Sequence, residues 1–158
     1  MEYFYPAVLK GTYRYRIDPK GRLPVPAAFR RALAETGPAT LVVTPLDQCL
    51  AAYPTLEWAR LEQQLAQLPP FSGPAKALTR LVASRAIDCD LDAQGRVLLP
   101  LALRVAAGLH GEAVIIGVLN RFEVWSPERW ESFLADSERL LEDATLGVEW
   151  PPSPKPNR

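Results

Sequence analysis

The chain has 158 residues, of which 48% are hydrophobic, with 18 Lys and Arg balanced by 18 Asp and Glu. That composition excludes wholesale disorder and suits one domain, or two small halves sharing a core. No apolar run reaches the ~18–20 residues that span a bilayer, no basic start and sustained apolar stretch marks a secretory leader, and Cys49 and Cys89 are too few for a disulfide framework; the expectation is a cytoplasmic protein with no membrane partner.

Zero net charge disfavours a polyanion partner only if the charges are evenly spread, and they are not. Residues 1–33 carry Lys10, Arg14, Arg16, Lys20, Arg22, Arg30 and Arg31 against Glu2 and Asp18, a net +5, whereas residues 121–150 carry three arginines against eight acids. Fields decay over about 8–10 Å at physiological salt, so the N-terminal excess sets its own surface potential.

In chain order, Tyr13, Tyr15 and Ile17 alternate with Arg14 and Arg16, which predicts a strand with an apolar and a cationic face. Asp18-Pro19-Lys20-Gly21 is a turn, because Asp caps the backbone, Pro fixes φ and Gly tolerates positive φ. Arg22–Val25 reads as the return strand, and Pro26 suits the start of a helix running through AAFRRALAE. Thr40–Thr44 and Cys49–Tyr53 read as a second hairpin, followed by a helix over Pro54–Leu68 with Trp58, Leu61, Leu65 and Leu68 on one stripe. Pro69, Pro70, Ser72, Gly73 and Pro74 break the chain before a short helix with Leu78, Leu81 and Val82.

The pattern then repeats. Residues 13–30 and 87–104 superimpose at a shift of 74, placing Asp18 on Asp92, Gly21 on Gly95, Arg22 on Arg96, Pro26 on Pro100 and Arg30 on Arg104. A second stretch follows at a shift of 72: TLVVTPLDQCLAAYP matches AVIIGVLNRFEVWSP in pattern, and Trp58 falls on Trp130. Two copies are too few for a solenoid and predict a pseudo-two-fold domain. The last helix, capped by Ser126, is expected to bury Trp130, Phe133 and Leu134. The organisation is a first copy over 9–68, a linker and helix over 69–85, a second copy over 86–144 and a proline-rich, disordered tail over 145–158.

Two readings of the repeated D-x-x-G-R-x-x-x-P-x-x-x-R motif stay open. Asp18, Gly21, Pro26, Arg30, Asp92, Gly95, Arg96, Pro100 and Arg104 serve the fold as turn and ion-pair clamp, with Asp18 paired to Arg22 or Arg30. Alternatively, the motif carries binding. Lys20 and Arg22 are the better candidates for binding, because they sit on an exposed turn next to Arg14 and Arg16.

Through DPKGRLPVPAAFR, DAQGRVLLPLALR, the CLAAYP–LEW segment and GVLNRFEVWSPERW, the chain resembles the MraZ family of bacterial transcriptional regulators. The resemblance spans residues 9–140. It implies an α+β fold of duplicated β-β-α-β-β half-units, a duplicated relative of the AbrB-type swapped hairpin with a compact β-barrel-like core and helices packed outside. It also implies a cytoplasmic, nucleoid-associated regulator that binds double-stranded DNA with repeated boxes at the promoter of the division and cell-wall gene cluster, assembled as a closed homo-oligomeric ring.

The copies differ where DNA contact is at stake. Gln94 replaces Lys20, and Asp88 and Asp90 replace Arg14 and Arg16. Aspartates repel phosphates, so only Arg14, Arg16, Lys20 and Arg22 are assigned to DNA; Asp88 and Asp90 could instead face basic residues of a neighbouring subunit. His110 and the two cysteines stand singly, without metal-ligand spacing, and no nucleophile–base set or phosphate-binding glycine loop is present, so neither an enzyme nor a cofactor or metal is expected. The alternative is a protein-interaction module, such as an antitoxin-like relative that blocks a protein partner.

Overall fold

The computed structural model describes residues 8–142. The first copy runs β1 (Thr12–Arg16), β2 (Arg22–Pro24), α1 (Ala27–Thr36), β3 (Thr40–Leu46), β4 (Cys49–Pro54) and α2 (Thr55–Ala66). After α3 (Gly73–Ser84), the order returns as β5 (Ile87–Asp90), β6 (Arg96–Leu98), α4 (Leu101–Ala106), β7 (Glu112–Gly117), β8 (Phe122–Trp125) and α5 (Pro127–Glu142). The expected tail over 145–158 lies outside the described residues.

The strands form a six-stranded antiparallel sheet in the order β1-β7-β8-β4-β3-β5 and a two-stranded sheet of β2 and β6. Exchanging the copies reads the larger order backwards without changing it, which is the signature of a pseudo-two-fold. Its axis is visible in the register: Ala51 faces Glu123 and Leu23 faces Val97, each pair being equivalent positions of the two copies. The α+β architecture of duplicated half-units is as the sequence implied, but the barrel-like core stays open, with β1 and β5 as its free edges.

One local expectation fails. Arg22–Pro24 does not return along β1 but pairs with β6, and the turn is closed locally by the Asp18 amide to the Arg22 carbonyl (3.0 Å) and the Gly21 amide to the Asp18 carbonyl (2.9 Å). β1 likewise pairs with β7 of the other copy. Each copy thus donates its first strands to its twin, and Ile17, Leu23 and Val25 are buried in the core that the copies share.

The main core lies between the sheet and helices α1 and α4. Phe29, Leu33, Leu41, Val43, Leu50, Leu99, Leu103, Ile115 and Phe122 are all buried there, and Tyr13 meets Phe29 edge-on at 5.3 Å. Helix α1 begins at Pro26, whose carbonyl accepts from the amides of Phe29 (2.9 Å) and Arg30 (3.0 Å), and Pro100 does the same for α4. Prolines fit here because the first helical amides have no intrahelical partner.

On the opposite face, α2 packs on β3 and β4, α3 on β3 and α5 on β7. A repeated aromatic pair anchors α2 and α5: Tyr53 against Trp58 at 5.8 Å, and Trp125 against Trp130 at 5.4 Å. Cys49 and Cys89 are buried as small apolar residues, and burial pushes the Cys89 thiol up to about 11. Helix α5 departs from expectation, since it buries no residue fully. Trp130 is half-buried, but Phe133 and Leu134 are 43% and 49% exposed.

This difference in burial is measurable. Phe29→Ala should cost about 3–5 kcal/mol, lowering the urea midpoint without changing the slope. Leu134→Ala should cost under ~1 kcal/mol, and comparable losses at the two sites would contradict this arrangement.

Candidate nucleic-acid interface

Each repeated turn is built around one carboxylate. Asp18 Oδ1 accepts from the backbone amides of Lys20 and Arg22, both at 2.9 Å, while Oδ2 accepts from Arg22 Nε at 2.7 Å. These bonds, the Arg22 amide foremost, hold the Asp18 carboxyl below its ordinary 3.8. Asp92 repeats the construction, accepting from the amides of Gln94 and Arg96 at 2.9 Å and from Arg96 Nε at 3.0 Å. Of the two possible partners of Asp18, Arg22 makes the ion pair and Arg30 does not.

Arg30 and Arg104 act across the pseudo-two-fold instead. Arg30 Nε donates to the Val25 carbonyl at 3.2 Å, and the side chain lies over Gly95, where a Cβ would come within 2.5 Å of Arg30 Cδ. Arg104 Nε donates to the Leu99 carbonyl at 3.0 Å and lies over Gly21. There a Cβ would sit 2.7 Å from the Leu99 oxygen and 3.0 Å from the Arg104 guanidinium, and φ is +91°. Glycine is required at both turns for this close approach as well as for the positive φ. The Gly21 carbonyl accepts from the Leu99 amide (2.8 Å), and the Gly95 carbonyl from the Val25 amide (3.0 Å), so each turn is seated on the opposite copy.

The first turn therefore presents Lys20 and the terminal nitrogens of Arg22, which donate to no partner among the described residues. In the second turn, the Gln94 side-chain oxygen stands 3.4 Å from Arg96 Nη2. Replacing lysine by glutamine thus removes a charge and puts an acceptor beside the arginine fork. Arg14 and Arg16 project from the outer face of edge strand β1, while Tyr13 and Tyr15 pack inward. They are not isolated cations. Arg14 lies 3.9 Å from Glu131, both well exposed, and Arg16 faces Glu112 across the ladder. On the far edge, Asp88 and Asp90 occupy the equivalent outer face of β5, and Asp90 accepts from Thr40 Oγ1 at 2.6 Å.

A family model described as "MraZ protein, putative antitoxin-like" matches residues 8–81 and again residues 82–146. The chain belongs to the MraZ family. The protein named Transcriptional regulator MraZ of Limosilactobacillus reuteri is 45% identical over 143 residues, covering 88% of this chain and 99% of that relative. Its namesake in Pelotomaculum thermopropionicum is 45% identical over 133 residues, covering 84% and 90%. The two-part match also supports the internal duplication that defines this MraZ chain. No helix among the described residues is long and apolar enough to cross a membrane, and no cluster there has the ligands for a metal ion.

Two features of this MraZ fold escape sequence reasoning. The crossing of Arg30 and Arg104 leaves no trace in the sequence, since the repeat aligns equivalent residues but not contacts between copies. The second is Arg129, whose Nη1 donates to the carbonyls of Gln48 (3.1 Å) and Ala106 (3.0 Å), tying α4 to the β3–β4 turn. The cue available was a lone cation near the start of an acidic helix.

The acid limit of the turn follows from Asp18. Because its folded pKa lies below 3.8, the stabilisation from its ionised form is complete above that pH and is lost as pH falls through the lower folded value. The Lys20 and Arg22 amide resonances should therefore titrate with a midpoint below 3.8. A midpoint above 3.8 would contradict the hydrogen bonds assigned here.

Proposed function

We propose that this chain is a sequence-specific, double-stranded-DNA-binding transcriptional regulator, and that the first copy faces the DNA. One observation carries the reading: the two Asp-anchored turns are alike in backbone and unlike in what they offer an anion. The first has Lys20 and an arginine whose Nε is held by Asp18 while its outer nitrogens donate to no partner among the described residues; the second has Gln94 beside its arginine. A guanidinium oriented through Nε can present its fork to a phosphate or to guanine O6 and N7. The printed name of the relatives, Transcriptional regulator MraZ, supports the same conclusion.

In this reading, residues 9–68 contact DNA through Arg14, Arg16, Lys20 and Arg22. Residues 86–144 seat the reading turn, and 69–85 join the copies. Asp18, Gly21, Pro26, Arg30, Asp92, Gly95, Arg96, Pro100 and Arg104 hold the two turns. A single basic turn binds weakly, so repeated boxes at the promoter of a division and cell-wall cluster, met by several turns on a closed homo-oligomeric ring, supply affinity through effective concentration. The protein is then cytoplasmic and nucleoid-associated, and it performs no catalysis.

The family description favours one second reading, an antitoxin-like module that blocks a protein partner. Pull-downs with and without residues 151–158 distinguish it from a DNA-directed role.

Binding of the chain's own upstream region, followed by fluorescence anisotropy against scrambled DNA, tests the first reading. Arg22→Ala should weaken binding at least tenfold and reduce the salt slope by ~0.9 for each phosphate left without its cation, whereas Arg96→Ala should change neither. Equal effects of the two substitutions would remove the asymmetry, and no selective binding at low salt would reject the reading.

A further inference from the structure

The two-stranded ribbon of β2 and β6 has an inner and an outer face. Leu23 and Val97 stand opposite each other and are buried in the core. Side chains alternate along a strand, so Arg22 and Pro24 of β2, and Arg96 and Leu98 of β6, turn outward. The register sorts them into two cross-strand pairs, Arg22 with Leu98 and Pro24 with Arg96. Directly opposed residues share a face, with Cβ atoms about 4.5–5.5 Å apart. The arginine of the first turn therefore has a leucine of the second copy at its side.

Leu98 departs from the other apolar residues of this ribbon. It is 53% exposed, whereas Leu23, Val97 and the following Leu99 are buried. Two contacts fix where it stands: its ladder position opposite Arg22 and, one residue on, the Leu99 amide donating to the Gly21 carbonyl at 2.8 Å. Asp18 fixes the other member of the pair by accepting from Arg22 Nε at 2.7 Å. A cation from one copy and an apolar group from the other are thus held side by side on a ribbon. At the far end Arg96 has the half-buried Pro24 in place of an exposed leucine, so the pair occurs once.

This neighbour discriminates between the targets open to Arg22. Phosphate oxygens offer a leucine no apolar surface. The major groove admits a two-stranded ribbon, and its base edges carry one apolar group, the C5 methyl of thymine. We propose that Leu98 is a base-reading residue, packing on the C5 methyl of a thymine beside the guanine whose O6 and N7 take the Arg22 fork. The second copy then reads one base itself, besides seating the first copy's turn. The proposal rests on the DNA-binding reading above and names a base that such binding selects.

Deoxyuridine is thymidine without that methyl and keeps its pairing with adenine, so it removes from the DNA what Leu98→Ala removes from the protein. Fluorescence anisotropy with the full chain compares its own upstream region made with thymidine and with deoxyuridine. The wild type should bind the deoxyuridine duplex at least about fourfold more weakly, the worth of one buried methyl at ~0.8 kcal/mol. Leu98→Ala should lose a similar factor on the thymidine duplex and reduce the preference between the two duplexes, and Leu98→Met, an apolar chain of like size, should restore that preference. Thermal melting checks that both variants are folded. A wild type indifferent to the methyl, or a Leu98→Ala variant with the full wild-type preference, would overturn the proposal; selective, Arg22-dependent binding in the same experiment would leave the DNA reading standing. No selective binding by the wild type would overturn both.

Discussion

The exchange of backbone hydrogen bonds between the turns holds the two halves of this protein together. The Gly21 carbonyl takes the Leu99 amide, and the Gly95 carbonyl takes the Val25 amide. Each bond forms only because a glycine lets the opposite chain and an opposite arginine approach to a distance that a Cβ would forbid. Once it forms, β2 must lie beside β6 and the two helical layers must share one core. The strand that precedes each turn is then drawn to the far copy's sheet edge. Each half completes the other's sheets and core, so the duplication forms one domain despite its two-part sequence.

The two copies share this core and differ most in charge where they face outward. In the main core the equivalent positions stay apolar while changing size: Phe29 and Leu103, Leu41 and Ala113, Leu50 and Phe122 all serve one core. Outward positions diverge in charge. The first copy keeps arginines on its edge strand and lysine on its turn, and the second has aspartates and glutamine. The helices diverge too: α2 lies along its sheet with a half-buried stripe, whereas α5 is anchored by Trp130 and stands over an open groove. Symmetry in the core and asymmetry at the surface let one fold present unlike faces in one chain.

Much of this was legible in the chain itself. The shift of 74 placed both Asp-Gly-Arg turns, and Asp18 pairs with Arg22, one of the two arginines its spacing allowed. Alternation set Tyr13 and Tyr15 inward and the arginines outward. The apolar stripe of α2, Trp58, Leu61, Leu65 and Leu68, is half-buried as its spacing predicts. The same reasoning over-buried Phe133 and Leu134, because helical periodicity identifies an apolar face but not whether the sheet beneath extends far enough to cover it.

Local pattern therefore determined the elements, the turns, the repeat and the charge contrast between copies, all of which depend on residues near one another in sequence or on identity between two stretches. Only the tertiary structure decided which strand pairs with which. Intra-copy and exchanged hairpins use the same alternation and the same turns, and differ only in long-range hydrogen bonds. For the same reason, the arginines that guard each glycine come from the other copy, a fact about space that equivalence in sequence cannot express.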